Sequence, residues 1–251
     1  MRLNEAIGAT VRRAAEATML LGLLAGFAAP ALGGDRALID YIGYSADGRY
    51  FAFEEYGVQD GSGFPYSTIY VIDLPADRWV GGSPFRARLE GDTDTVGEVR
   101  TAARDLADGT LAELRIDVGA FPIAVNGDGE PDAAAYGLRF GTPGYGLDGV
   151  QDEHLLTLET FPMQPGMDCA IIDNEVFGFS LGLDGEELYR DSGTLPRSRG
   201  CAMDYRLHAV VQAPDWLFGE PAQRVAIIAV YPFGFEGPDR RFMAVPLPLM
   251  P

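Results

Sequence analysis

The chain has no lysine, two histidines and two cysteines among its 251 residues. Each scarcity closes off some chemistry. Without an amine side chain there is neither a Schiff-base lysine nor a P-loop lysine. Two histidines exclude a His-rich zinc site, and neither His154 nor His208 has a partner at ligand spacing, so both read as structural residues. Positive charge is scarce as well. Nineteen arginines face 37 acidic residues, a net charge of −18, which argues against nucleic acid and anionic membrane surfaces as partners. Long apolar runs are missing too, which excludes a multi-span membrane protein. What is plentiful is turn-forming and apolar material. The 32 glycines and 17 prolines far exceed the usual share, and 47% of the chain is hydrophobic, enough for one globular domain with many turns.

The N-terminus reads as a cleavable signal peptide over residues 1–31. Arg2, Arg12 and Arg13 form a positive n-region, and Met19 to Ala29 is an uncharged apolar run too short to span a bilayer of about 30 Å. Ala29-Pro30-Ala31 supplies a small-x-small cleavage pattern, and no cysteine lies nearby to carry a lipid anchor. The expected product is residues 32–251, periplasmic or secreted, with no stable membrane anchor. An oxidising compartment then favours a disulfide between Cys169 and Cys201. A redox pair would sit closer together, as in C-x-x-C.

Strand signals dominate the remainder. Leu38 to Tyr44, Arg49 to Tyr56 and Thr68 to Leu74 form a meander, with further strands around 111–116, 134–140, 155–158, 176–183, 187–190, 205–211, 224–231 and 242–247. One short helix is expected over Val96 to Ala107. Asp94 or Thr95 would cap it, Glu98 lies in the first turn, Val99, Ala103 and Leu106 form the apolar stripe, and Asp108-Gly109 is the stop. The fold class is mainly β, antiparallel sheets in a sandwich-like or partial propeller-like arrangement with one short helix.

Residues 44–53 (YSADGRYFAF) with 69–74 (IYVIDL) resemble one blade of a TolB-type β-propeller; a propeller needs at least four, so that architecture is not carried over. Residues 51–74 (FAFEEYGVQDGSGFPYSTIYVIDL), 195–206 (LPRSRGCAMDYR) and 235–245 (FEGPDRRFMAV) resemble a family of predicted secreted bacterial proteins of unknown function. That resemblance implies a secreted protein and supplies no chemistry.

Three segments are candidates for function. Gly178-Phe179-Ser180-Leu181-Gly182 fits the G-x-S-x-G nucleophile elbow, with Asp191 or Asp204 and then His208 following in the chain order of a hydrolase triad. The residues after it read as a turn into another strand, where an elbow needs a helix. The loop Asn126-Gly127-Asp128-Gly129-Glu130-Pro131-Asp132 places oxygen ligands at alternate positions, which suits calcium held by Asn126, Asp128, Glu130 and Asp132, although no Glu completes an EF-hand. The loop 57–66 offers Gln59, Asp60 and Ser62 for hydrogen bonds beside Phe64 and Tyr66 as aromatic anchors, the mixture that recognition surfaces use. Glu54 and Glu55 are adjacent on a strand and point to opposite faces, so they cannot act as a glycosidase pair. The expected function is a non-catalytic binding or interaction module with a protein or glycan partner at loop 57–66. The alternatives are a calcium-stabilised exported module and a serine hydrolase using Ser180.

Overall fold

The computed structural model describes residues 33–127, 133–143, 149–170, 175–214 and 223–249. From Gly34 onward the described residues pack as one unit. Fourteen strands and one α-helix are formed among them. Strands β1 (Leu38–Ser45), β2 (Tyr50–Val58), β3 (Pro65–Asp73), β4 (Arg78–Trp79) and β5 (Phe85–Arg88) are followed by helix α1 (Val96–Glu113). Then come β6 (Ile116–Val118), β7 (Phe121–Val125), β8 (Gly137–Pro143), β9 (Val150–Pro162), β10 (Phe177–Leu183) and β11 (Glu186–Arg190). The chain closes with β12 (Ala202–Gln212), β13 (Arg224–Pro232) and β14 (Arg241–Pro246).

The strands form three antiparallel sheets. Sheet I has the order β4-β3-β2-β1-β6, with β5 also on β3; sheet II runs β14-β13-β12-β7; sheet III runs β11-β10-β9-β8. Alternation along each strand decides the stacking. In sheet I, Ala52, Ile69 and Val71 pack against Ala103, Ala107 and Leu111 of α1. The opposite face presents Phe51, Phe53, Tyr66 and Ile72 to Ala209, Val211, Val225 and Ile227 of sheet II. Sheet II turns its other face, with Leu207, Val210, Ala226 and Ile228, onto Leu156, Leu158, Phe179 and Leu181 of sheet III. The layers are therefore helix, sheet I, sheet II, sheet III. Sheet II is covered on both sides, which is why β13 reads RVAIIAVYP with no polar alternation after its first residue. A register shift between Leu207 and Ala209 reverses the facing of β12 midway, so Leu207 and Ala209 serve different cores.

Mainly β, antiparallel and with one α-helix among the described residues, the architecture agrees with the sequence. The helix itself is not short. Thr95 is the cap, its Oγ1 accepting from Glu98 N–H while Glu98 Oε2 accepts from Thr95 N–H, but α1 runs through Asp108-Gly109 to Glu113. Its buried stripe is Val99, Ala103, Ala107 and Leu111, whereas Leu106 is 57% exposed. Gly109 costs the helix only about 1 kcal/mol, and burying Leu111 against sheet I outweighs that. The residues around 111 consequently end a helix and do not begin a strand.

Cys169 and Cys201 are joined, Cα–Cα 5.8 Å, anchoring the segment after β9 to the start of β12. For the loop this bridge closes, the chain-entropy relation gives about 3–4 kcal/mol. Reduction is expected to lower the denaturant midpoint correspondingly, and a Cys169→Ser/Cys201→Ser variant should match the reduced protein in urea unfolding.

Candidate functional site

β4 and β5 at one side of sheet I, β14 of sheet II and β11 of sheet III each end their sheet's strand order. Between these three edges lies a groove of about 860 Å³, within the range of small-ligand sites. Five consecutive residues of β14, Arg241 to Val245, line it. Side chains alternate along a strand, so a run of five means that the edge of β14 itself is the floor. Sheet I forms one wall. The segment 196–200 and Tyr189 of β11 form the other.

Strand register explains which side chains reach the sheet I wall. Phe53 pairs with Tyr70 and Glu55 with Thr68 across β2 and β3. Trp79 stands opposite Ile72 on β4, while Arg86 and Arg88 stand opposite Thr68 and Tyr66 on β5. Residues directly opposite share a face. The wall therefore carries an aromatic patch, with Phe53 stacked on Tyr70 at 4.8 Å and Trp79 tilted onto Tyr70 at 5.7 Å, followed along β3 by two arginines.

The charge inside the groove opposes the charge of the protein. Six arginines line it (Arg78, Arg86, Arg88, Arg197, Arg199 and Arg241) against two carboxylates, Glu55 and Asp77. Some of these arginines are structural. Arg241 bonds Asp35 at 2.6 Å and lies over the Tyr66 ring, and Arg88 is paired with Glu90. Arg199, nearly buried, donates to Tyr189 OH at 3.0 Å and sits 3.5 Å from Asp191, which in turn accepts from Tyr189 OH and Phe179 N–H. This network fastens the 196–200 wall to sheet III. Arg78, Arg86 and Arg197 are exposed and make no side-chain hydrogen bond, ion pair or ring contact among the described residues.

Glu55 lies beneath the wall at 3% exposure, accepting from Tyr70 OH at 2.8 Å and from the Phe242 backbone N–H at 3.0 Å. It thereby joins sheet I to the edge of β14. Burial raises its carboxyl above the ordinary Glu range, with the two hydrogen bonds and the nearby charges of Arg241 and Arg86 opposing. The folded protein thus holds this proton more tightly than the unfolded chain does. Its contribution is fully present below the unfolded pKa and is lost as pH rises through the raised folded one. The stability of the wild type relative to Glu55→Gln is expected to increase as pH falls toward the ordinary Glu range. Paired urea titrations isolate this from Asp47, Asp73, Glu98 and Asp184, whose lowered carboxyls act in the opposite direction.

The sequence candidates fall in different places. Gln59 and Tyr66 line the groove; Asp60, Ser62 and Phe64 do not. Tyr66 is a core residue with its OH on Asp35 at 2.9 Å, and Ser62 and Gln59 bond each other within the loop. Asn126 Nδ2 donates to the carbonyls of Ala134, Gly137 and Leu207, bracing the end of β7 and the segment that enters β8 against β12. Asp128, Glu130 and Asp132 lie outside the described residues. Among the described residues no group of three or more His, Cys, Asp or Glu converges as a metal site.

Ser180 is in the middle of β10, and a two-residue turn at Asp184-Gly185, both at positive φ, leads into β11 where an elbow needs a helix. Gly178, Ser180 and Gly182 share the outer face of sheet III, opposite to Phe179 and Leu181. A Cβ at Gly178 would run into Met163 Sδ, and one at Gly182 would come within 2.8 Å of Thr157 Oγ1. Close packing of the outer face accounts for both glycines of G-x-S-x-G. His208 is on β12 with its ring against Phe242 at 5.0 Å, and His154 Nδ1 bonds Asp184 at 2.7 Å. Glu54 and Glu55 point apart, toward α1 and toward β14 respectively.

The groove arginines were missed in the sequence because they come from separate segments. One signal was available: Phe85-Arg86-Ala87-Arg88 alternates apolar and charged residues with the period of an edge strand. A family model described as "Predicted secreted protein (DUF2259)" matches residues 52–247, a span that contains every groove segment. No curated protein and no solved structure matches the chain. No helix among the described residues is long and apolar enough to cross a membrane.

Proposed function

The chain belongs to this family of predicted secreted proteins, and from that premise we propose that it is a non-catalytic binding module whose ligand occupies the groove between the three sheet edges. After removal of residues 1–31 the working form is a periplasmic or extracellular domain. The observation that carries the reading is the accumulation of exposed arginines without a side-chain hydrogen bond or ion pair among the described residues, beside an exposed tryptophan, on one concavity of an otherwise acidic protein. Ligand sites combine such apolar faces with a few convergent polar groups. Loop 57–66 contributes Gln59 and Tyr66 to this surface, which narrows the sequence expectation to the part of the loop that reaches the groove.

The test is a thermal melt of the oxidised protein with a panel of oligosaccharides, sugar phosphates and peptides, repeated on Ser198→Trp. Ser198 is exposed on the groove wall, so an indole there fills the mouth without entering a core. A ligand at about 100-fold its Kd adds about 2.7 kcal/mol, a midpoint rise of about 5–10 °C for a chain of this size. At least one compound should shift the wild type and fail to shift Ser198→Trp. Equal shifts in both proteins, or none in either, would remove the groove as the site.

A further inference from the structure

We infer that the groove takes an anionic saccharide, a sugar chain bearing carboxylate, phosphate or sulfate groups; this rests on the groove being the binding site. Sign and shape both support it. Of the arginines whose side chains make no hydrogen bond, ion pair or ring contact among the described residues, Arg78, Arg86 and Arg197 are at the groove and Arg115 elsewhere. A neutral or apolar ligand would cover these cations without replacing their water, at a desolvation cost. A planar oxyanion meets the guanidinium fork in two parallel hydrogen bonds. Trp79, 42% exposed and backed by Tyr70, supplies a flat apolar face beside those charges. From the Ile72–Trp79 row to the Thr68–Arg86 row is four residues of β3, about 14 Å at about 3.4 Å per residue. A ring resting on Trp79 thus leaves the next units of a short chain to present their anionic groups to Arg86 on one wall and Arg197 on the other.

An acidic peptide shares the charge and fits the floor less well. Extended peptides bind clefts between strands by adding to an open edge. On β14 that edge is largely taken: the outward N–H of Phe242 is held by Glu55 Oε2 and Pro246 has no N–H to give, which leaves Ala244 alone between them, too little for a paired strand. A polynucleotide would carry its charges past the ends of the groove and over the rest of a protein with net charge −18, a repulsion that a short saccharide seated among the groove arginines largely avoids.

Isothermal titration with tetragalacturonate at low salt, set against its fully methyl-esterified form and hexaglutamate, tests the inference. Tetragalacturonate should bind, weaken steeply with added salt, and exceed both controls at least tenfold. Arg86→Ala and Arg197→Ala should each weaken it about tenfold, and Trp79→Ala similarly. All three sites are exposed, so unchanged melts of the free variants establish that they fold. Equal binding of the methyl ester or of hexaglutamate, still lost in Ser198→Trp, would overturn the saccharide assignment and leave the groove standing. Binding of tetragalacturonate unaffected by Ser198→Trp, Arg86→Ala and Arg197→Ala would overturn the groove itself. No binding of tetragalacturonate or of sulfated and phosphorylated tetrasaccharides would overturn the ligand class.

Discussion

Replacing Arg100 by Met is expected to destabilise the protein by about 3 kcal/mol. Arg100 projects from α1 onto sheet I and grips Glu54 with two hydrogen bonds, Nε to Oε1 at 3.0 Å and Nη2 to Oε2 at 2.8 Å. It also reaches Asp40 at 2.6 Å and lies over the Tyr56 ring at 4.0 Å. The asymmetry of the pair sets the magnitude. Arg100 retains a third of its side-chain exposure while Glu54 retains 7%, so losing the arginine leaves a buried carboxylate supported by Ser67 Oγ alone. Removing one partner of a buried pair costs about 3–5 kcal/mol, and the solvent still reaching Arg100 puts this case at the lower end. For a chain of this size that is a fall in Tm of about 6–12 °C. Adding Glu54→Gln should restore part of the loss, because the uncompensated charge is then gone. A double-mutant cycle read by urea unfolding measures the coupling, and strict additivity would show that the pair does not hold α1 to the sheet.

What was legible in the sequence is what depends on neighbours along the chain. Alternation at Phe51-Ala52-Phe53 separated the two faces of β2, and those residues do serve different cores. Asp94-Thr95 and Glu98 marked the start of α1 because a helix cap is a local device, and the structure selects Thr95 of the two. Its end was not legible, since continuation past Gly109 depends on Leu111 finding a hydrophobic site on sheet I. The cysteine pairing followed from compartment and count. The groove depends on none of these. Its walls are assembled from β3 to β5, the segment 196–200 and β14, which only the three-sheet stack brings together. A chain whose basic residues are all arginine showed the residue type that the groove uses, but nothing local showed that six of them would converge.

Tyr66 and Phe64 should separate sharply on truncation, although the sequence casts both as surface anchors. Tyr66→Ala is expected to cost about 3–5 kcal/mol and Phe64→Ala about 1 kcal/mol. Tyr66 is 8% exposed in the core between sheets I and II, its hydroxyl donates to Asp35, and the Arg241 guanidinium rests 5.0 Å above its ring. Removing the ring opens a cavity beneath the groove and deprives Asp35 of one of its partners, leaving Arg241 to hold that carboxylate at 2.6 Å. Phe64 is half-buried in the turn, where Gln59 N–H bonds its carbonyl through the backbone, so truncating the ring spares the turn's hydrogen bond. Tyr66→Phe separates packing from polarity. It keeps the ring under Arg241 and should cost about 1 kcal/mol, the worth of one hydrogen bond to a charged group partly replaced by water. Urea midpoints of the three variants decide the matter. A small loss for Tyr66→Ala would return the residue to the surface role expected of it. The large loss would mean that Tyr66 supports the groove from below, so that loop 57–66 shapes the binding surface chiefly by anchoring its wall.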